Sequence, residues 1–340
     1  MGRVSSIASF ACMIAILLVA VTPASADLAL TPAGVTDGFT LTEFVGGYFF
    51  GGYGPLAQGI LPSGNVVTGS MGDRKIYVFK DTDGQTLGSA VSATSYICQT
   101  GNCNYAMATA GGQVYGGQAF GGVYEHFAND GSQTALPGVT AAGLLNNLGM
   151  WGDPVNGHII AASNKGLVEI DPVADTFRVI NASLFPDGVS VSPDGAVAYL
   201  ELGGTIQSFD IATGTHIHTF FTGHAPDGTG VITGGLFNGD VVVNNNDGTM
   251  GLLDPTKADG DPNQFVIIAN GGSRGDFVSP DLSNGTLFVS QVESVDRLSC
   301  GPGCSIGGPP RVPEPSSVWL LGSGLIASFT LLRRKMRKQL

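Results

Sequence analysis

Charge is scarce along this 340-residue chain: Asp, Glu, Lys and Arg together supply 12% of it, and only 15 residues are Lys or Arg. The few cations are also unevenly placed. Arg3 stands near the start and five more close the chain; with these and Glu314 near the end set aside, nine cations face 26 carboxylates, a net charge of −17 for the body. A surface that acidic repels phosphate backbones and excludes nucleic acid as a partner; it suits a solvated extracellular protein. Helical periodicity is missing from the whole body, which leaves an all-β chain. Missing too are a paired-Glu acid/base system, a Cys/His pair and a phosphate-binding loop. Cysteine is rare, with five in all, and Cys12 lies within the first apolar stretch. The other four form two close pairs, Cys98 with Cys103 and Cys300 with Cys304. In an oxidising compartment such pairs favour two local disulfides, although four cysteines permit other pairings. A four-thiolate zinc site fits poorly, because neither pair has the two-residue spacing of a zinc knuckle.

What is plentiful is glycine, 52 residues, a composition of short strands and tight turns. At the front, residues 1–26 read as a secretory leader: one positive charge at Arg3, an apolar stretch over 8–21, and an Ala24-Ser25-Ala26 ending that places cleavage after Ala26. At the back, Val312-Pro313-Glu314-Pro315 precedes an apolar run over 318–332 and then Arg333, Arg334 and Lys335, with Arg337 and Lys338 behind them. The two prolines fix φ and remove N–H donors, so that stretch stays extended and accessible. Residues 316–332 carry no charge, and at about 1.5 Å rise per residue they just cross a thin hydrocarbon core. The basic cluster holds the far end in the cytoplasm.

Pro-Glu-Pro, one membrane-length helix and a terminal basic cluster, in that order, resemble the PEP-CTERM sorting tail. The resemblance covers about the last 30 residues. It implies an exosortase-type membrane transpeptidase as processing partner, anchoring in the inner membrane before the cut, and then release or attachment at the surface of bacteria that make extracellular polysaccharide. A simple C-terminal anchor that is never cut is the plainer alternative.

The body between the two ends is periodic. Short apolar patterns recur around Phe79, Phe127, Ile170, Phe209, Leu253 and Leu298, at steps of 48, 43, 39, 44 and 45 residues. Ahead of most of them lies a second β-rich run opened by a glycine turn, at Gly64, Gly157, Gly195, Gly239 and Gly285. Four short strands in about 45 residues is the repeat of a β-propeller blade. The unit running from Asp187-Gly188 through Ser192-Pro193-Asp194-Gly195 to Phe209-Asp210 resembles NHL-type blades. Six anchors predict six blades, with seven as the alternative. The last unit lacks its outermost strand, and Thr40-Leu41-Thr42-Glu43-Phe44-Val45 is placed to fill the gap and close the ring. A parallel β-solenoid is the competing architecture, but its coils are shorter and its turns do not alternate in this way.

Candidate chemistry is thin. Gly271-Gly272-Ser273-Arg274-Gly275 matches the G-x-S-x-G elbow but leads into Asp276-Phe277-Val278-Ser279-Pro280, which is no helix start. His216 and His218 share a strand face, with His224 close by, on what is expected to be an outermost, solvated strand. Asp81-Thr82-Asp83-Gly84, Asn244 to Gly248 and Asp259-Gly260-Asp261 gather oxygen ligands without the spacing or closing Glu of a calcium loop, so calcium is the one cofactor left open. Six-bladed lactonases hold a divalent cation in the channel with Glu, Asn and Asp. Glu43, Asn146 and Asp187 are the nominal counterparts, but no motif matches them residue by residue. The sequence thus predicts a signal peptide over 1–26, a propeller over 27–300, a Gly/Pro-rich linker over 301–311 and a sorting and transmembrane tail over 312–340. The expected role is a non-enzymatic surface or matrix binding module for polysaccharide or another protein, with a metal-dependent propeller hydrolase of lactonase type as the alternative.

Overall fold

The computed structural model describes residues 27–48, 54–96, 105–301 and 304–307. The leader with Ala24 and Ala26, and the tail with Pro313, Glu314, Pro315, Arg333, Arg334 and Lys335, lie outside the described residues. So do the signal and transmembrane helices expected there. Of the two local disulfides expected, the one between Cys300 and Cys304 is formed. The other cannot be placed in the same way, because Cys98 and Cys103 both lie outside the described residues.

The body is a six-bladed β-propeller. Blade 1 is built from Gln58–Ile60, Val66–Ser70, Lys75–Phe79 and Ser92–Ser95, and blade 2 from Tyr105–Ala110, Gln113–Gln118, Glu125–Phe127 and Gln133–Ala135. Blade 3 comprises Asn146–Gly152, Ile159–Ser163, Gly166–Asp171 and Thr176–Asn181; blade 4 comprises Val189–Val191, Val197–Leu202, Thr205–Asp210 and His216–Phe220. Blade 5 runs through Pro226–Val231, Val241–Asn245, Met250–Leu253 and Phe265–Asn270. Blade 6 takes Val278–Asp281, Thr286–Ser290 and Ser294–Cys300 from the end of the chain and Phe39–Gly46 from its beginning. That last pairing is the expected closure, with Phe39 opposite Cys300 and Gly46 opposite Ser294. Within each blade every neighbouring pair is antiparallel, which excludes the solenoid; only Gln85–Thr86, laid along the edge of blade 6, is parallel.

Burial explains why the strands read as apolar runs rather than as strict alternation. Second strands such as Val66–Ser70, Ile159–Ser163 and Val241–Asn245 are buried throughout, because both faces of an inner strand meet neighbouring blades. Outermost strands such as Ser92–Ser95 alternate with solvent. The six anchors all fall on third strands and all are buried. Between first and second strands the turn glycines Gly64, Gly157, Gly195, Gly239 and Gly285 have φ of 80°, 73°, 72°, 97° and 76°, left-handed values that a side chain rarely adopts.

The innermost strands contact one another in a closed ring. At two places the approach is so close that only hydrogen fits. A Cβ on Gly152 would lie 1.9 Å from the Thr109 carbonyl oxygen, and one on Gly228 would lie 1.8 Å from that of Asp276.

Two features extend beyond the sequence expectation. Ala29–Leu30 adds a fifth strand to blade 5, pairing with Asn270 and Ala269. The packed body also continues past residue 300: Ser305 and Ile306 are buried, Ile306 N–H donates to Gly285 O (2.8 Å), and the Cys300–Cys304 disulfide holds this turn against the last strand. Helix is limited to single turns at Pro32–Thr36 and Pro137–Ala141 and a 3-10 turn at Leu87–Ser89, and among the described residues no helix is long and apolar enough to cross a membrane.

Where the chain closes on itself, Arg297 is buried at 5% exposure among three carboxylates. Its Nε donates to Asp83 Oδ1 (2.7 Å), Nη1 donates to Asp281 and to Thr286 Oγ1 (2.8 Å), and Nη2 donates to Asp81. The guanidinium lies against the rings of Phe44 and Phe288, at 5.0 and 4.8 Å from their centroids.

Candidate functional site

The channel has two unlike mouths. The acidic one is formed where the innermost strands of blades 4, 5 and 6 begin. Asp187 and Asp276 sit just ahead of Val189–Val191 and Val278–Asp281, and Asp227 lies at the start of Pro226–Val231. Glu201 joins them from the second strand of blade 4, whose turn back brings its N–H onto Gly188 O (3.0 Å). Arg274 is the cation that serves this group. Its Nη2 donates to Asp227 Oδ2 at 2.9 Å and stands 3.9 Å from Asp276 Oδ2, while its Nε donates to Asn246 Oδ1.

A single guanidinium cannot neutralise four half-buried carboxylates, so protons must do the rest. Burial pushes Asp187 up to about 7, helped by the charge of Asp227 and a hydrogen bond shared with it, and by Glu201, against a smaller opposing pull from Arg274. Asp276 is raised well above its ordinary value by burial and by Asp227, and Glu201 is raised by burial. Asp187, hydrogen-bonded to Asp227, therefore keeps its proton up to about pH 7. A divalent cation does not fit the arrangement: the place between the carboxylates that such an ion would need is served by the Arg274 guanidinium. Among the described residues no group of three or more His, Cys, Asp or Glu side chains is arranged to hold a metal ion.

The retained proton has a signed consequence. The folded protein keeps the Asp187 proton up to about pH 7, whereas the unfolded chain releases it near 3.8, so between those values the folded state binds more protons and stability falls as pH rises. Asp187→Asn keeps a donor toward Asp227 and removes that loss. The variant is expected to be more stable than the parent above pH 7, with the difference shrinking toward pH 4, as urea titrations across that range would measure. An unchanged pH profile would mean that Asp187 titrates as an ordinary carboxylate.

The opposite mouth is a cavity of about 670 Å³, lined by the turns that follow the innermost strands of blades 2 to 6. Trp151, Asn156, Pro193, Thr233, Pro280 and Leu282 contribute to its wall. Trp151 is 5% exposed and packed in the core between blades 3 and 4, whereas Val155 and Leu282 at 65% and 42% form an exposed apolar rim. Asp153 stiffens the turn by accepting from Val155 N (2.8 Å). Apolar rim side chains, prolines and backbone groups from glycine turns make a surface that takes an apolar face of a ligand and hydrogen-bonds at its edges.

The residues nominated from sequence are scattered. Asp187 is at the acidic mouth. Asn146 begins the innermost strand of blade 3, where its Nδ2 donates to Gly117 O (3.0 Å), and Glu43 sits on the outermost strand of blade 6. The three do not meet. His216 and His218 lie on the outermost strand of blade 4 as expected, bonded to Thr219 Oγ1 and Asp259 Oδ1 (both 2.9 Å), and His224 Nδ1 meets Asp247 Oδ2 (2.7 Å). Ser273 lies in the connection from blade 5 to blade 6 with no helix after it; its Oγ donates to Gln291 Oε1 (3.2 Å) and accepts from Val292 N (2.9 Å). The oxygen-rich turns are likewise engaged by the protein: Asp81 and Asp83 by Arg297, Asp259 by His218, Asp247 by His224 and Thr249. Sequence reasoning missed Asp227, Asp276, Arg274 and Trp151. One signal was available: Asp227-Gly228 repeats Asp187-Gly188 one blade later, at the same point of the innermost strand.

These features define an all-β six-bladed propeller, a fold that resembles NHL and SMP-30-like propellers. Residues 311–335 match the family model of the PEP-CTERM protein-sorting motif, which marks the chain for export and sorting to the membrane and cell surface and implies processing by an exosortase. Curated protein sequences yield no match. Among solved structures, a gluconolactonase from Xanthomonas campestris is 14% identical with a TM-score of 0.55, covering 81% of this chain and 95% of its own. A luciferin-regenerating enzyme is 12% identical with a TM-score of 0.55, covering 80% and 100%. An auxiliary nutrient binding protein from Bacteroides thetaiotaomicron is 10% identical with a TM-score of 0.52, covering 77% and 76%. Identities this low establish a common fold and nothing about chemistry.

Proposed function

We propose that the protein is a binding module of the cell surface or extracellular matrix, delivered by its leader over 1–26, tethered through the helix in its tail over 312–340, and freed or attached when an exosortase cuts near Pro313-Glu314-Pro315. Of the linker expected over 301–311, residues 304–307 pack on the body, and the stretch after Gly307 is left to carry the body away from the membrane. The observation that supports binding rather than turnover is the contrast between the two mouths. The acidic one is filled by its own guanidinium, whereas the other offers a 670 Å³ hollow with an exposed apolar rim. That hollow suits an extended polysaccharide, whose apolar sugar faces lie on the rim and whose hydroxyls bond to turn backbones. The test is retention of the protein on extracellular polysaccharide purified from the producing cells. Leu282→Asp and Val155→Asp, both on the exposed rim, are expected to weaken retention at least about tenfold without changing export, each loss of that size being ~1.4 kcal/mol. Undiminished retention would place the binding surface elsewhere.

One observation favours a second reading, a hydrolase of lactonase type. A carboxyl raised to about 7 and hydrogen-bonded to a second carboxyl is the pairing that general acid/base catalysis uses. Lactone turnover that Asp187→Asn abolishes would decide for it.

A further inference from the structure

Glu43 and Asp296 stand directly opposite one another in the antiparallel pair that closes the ring. Like charges in that register repel. Both line a pocket of about 200 Å³ between blades 5 and 6, and Asp27 and Glu293 line it too. Among the described residues no lysine, arginine or histidine does. Asp296 is 8% exposed, and among the described residues its carboxylate makes no hydrogen bond or ion pair. A buried carboxylate without a partner costs stability unless a cation or a proton is supplied. Burial and the charges of Glu43 and Asp27 accordingly push Asp296 up to about 7.

The chain itself brings one cation to this place. Ala29–Leu30 pairs with the outermost strand of blade 5 and so fixes Asp27 at the pocket, two residues upstream. Asp27 is also the first residue after the predicted leader. Hydrolysis of the Ala26–Asp27 peptide bond places a carboxylate on Ala26 and an ammonium on Asp27.

We propose that this pocket seats the N-terminus of the mature protein, the α-ammonium of Asp27 pairing with Asp296 and Glu43. The proposal rests on the leader ending at Ala26. It gives the fifth strand of blade 5 a purpose, which is to deliver the new terminus to the carboxylates. It also makes export and folding sequential: the uncut precursor leaves the seam between blades 5 and 6 with uncompensated charge, and leader removal supplies the missing cation. The titratable groups facing the ammonium are Asp27, Glu43, Glu293 and Asp296.

The test compares the chain from Asp27 to Leu340, in detergent micelles, with the same chain retaining Ala24-Ser25-Ala26 at its front. The α-amino group is titrated by amine-selective methylation read by mass spectrometry. In the Asp27 form its midpoint is expected above about 9, against roughly 7.7–8.0 for an ordinary terminus, and Tm at pH 7 is expected to exceed that of the extended form by about 2–4 °C. Asp296→Asn should return the midpoint to the ordinary range and erase the Tm difference. An ordinary midpoint in the Asp27 form overturns the proposal, and so does stabilisation of both forms by calcium with an ordinary midpoint, which would assign the pocket to a metal. The N-terminus of the protein recovered from its natural surface separates the two premises. A start other than Asp27 sinks the leader boundary together with the proposal; a start at Asp27 with ordinary titration sinks the proposal alone.

Discussion

Arg297→Met is expected to lower the stability of the propeller by about 3–5 kcal/mol. The guanidinium is 5% exposed and, among the described residues, is the only cation bonded to Asp81, Asp83 and Asp281, the last of which is fully buried. Removing it strands Asp281 where water cannot replace the lost bonds and leaves Asp81 and Asp83 without their cation nearer the surface. The position also ties the seam of the ring. Asp81 and Asp83 come from the connection between the third and outermost strands of blade 1, whereas Asp281 and Thr286 belong to blade 6. Ser283 Oγ and Asn284 Nδ2 add to the knot by donating to Asp81 Oδ2 at 2.8 and 3.1 Å. Arg297→Lys keeps the charge but lacks the planar fork that reaches three acceptors and lies against Phe44 and Phe288, so it should recover less than half of the loss. Arg297→Met combined with Asp281→Asn should do better than Arg297→Met alone, because the most buried of the stranded charges is then gone. Chemical denaturation of the three variants checks the order. A cost below about 1 kcal/mol for Arg297→Met would show that the carboxylates find protons or water without strain.

How far the sequence revealed all this depends on whether a feature repeats. Third strands were legible because each must bury one large side chain between blades, so Phe79, Phe127, Ile170, Phe209, Leu253 and Leu298 mark the period unaided. The first hairpins were legible because a left-handed turn residue recurs at Gly64, Gly157, Gly195, Gly239 and Gly285. The closing strand could be placed by elimination, since blade 6 was short of an edge and the segment around Phe44 was spare. Features made once were silent. Ala29–Leu30 is two residues long and shows no period. Arg274 was hidden inside a serine-elbow pattern, yet it matters through its charge while Ser273 binds only Gln291 and a backbone amide. Asp187, Asp227 and Asp276 contribute one carboxyl per blade, some 40 to 50 residues apart. Only the ring brings them to one mouth. A propeller site is assembled across its repeats, so spacing rules drawn from single loops do not find it.

The ring itself sets the second large expectation. Gly228→Ala is expected to cost about 3 kcal/mol or more, at the upper end of overpacking, although its backbone angles would suit alanine. The reason is purely steric: the new methyl would stand 1.8 Å from the Asp276 carbonyl oxygen, backbone that cannot rotate away. Gly152→Ala, facing Thr109 O at 1.9 Å, should behave alike at a different junction. Gly88→Ala is the control, because its nearest neighbour would be a hydroxyl at 3.8 Å and its φ is not left-handed; it should be close to neutral. The two ring variants ought to differ in one respect. Asp276 O also accepts from Asn244 Nδ2 (3.1 Å) beside the acidic mouth, so displacing it shifts the carboxylates that hold the Asp187 proton. Gly228→Ala should therefore change the pH dependence of stability as well as its size, while Gly152→Ala, on the far side of the channel, lowers stability evenly from pH 4 to 8. Urea unfolding of both across that range separates them. If both lose little, the blades slide apart more easily than a ring closed by six touching strands allows.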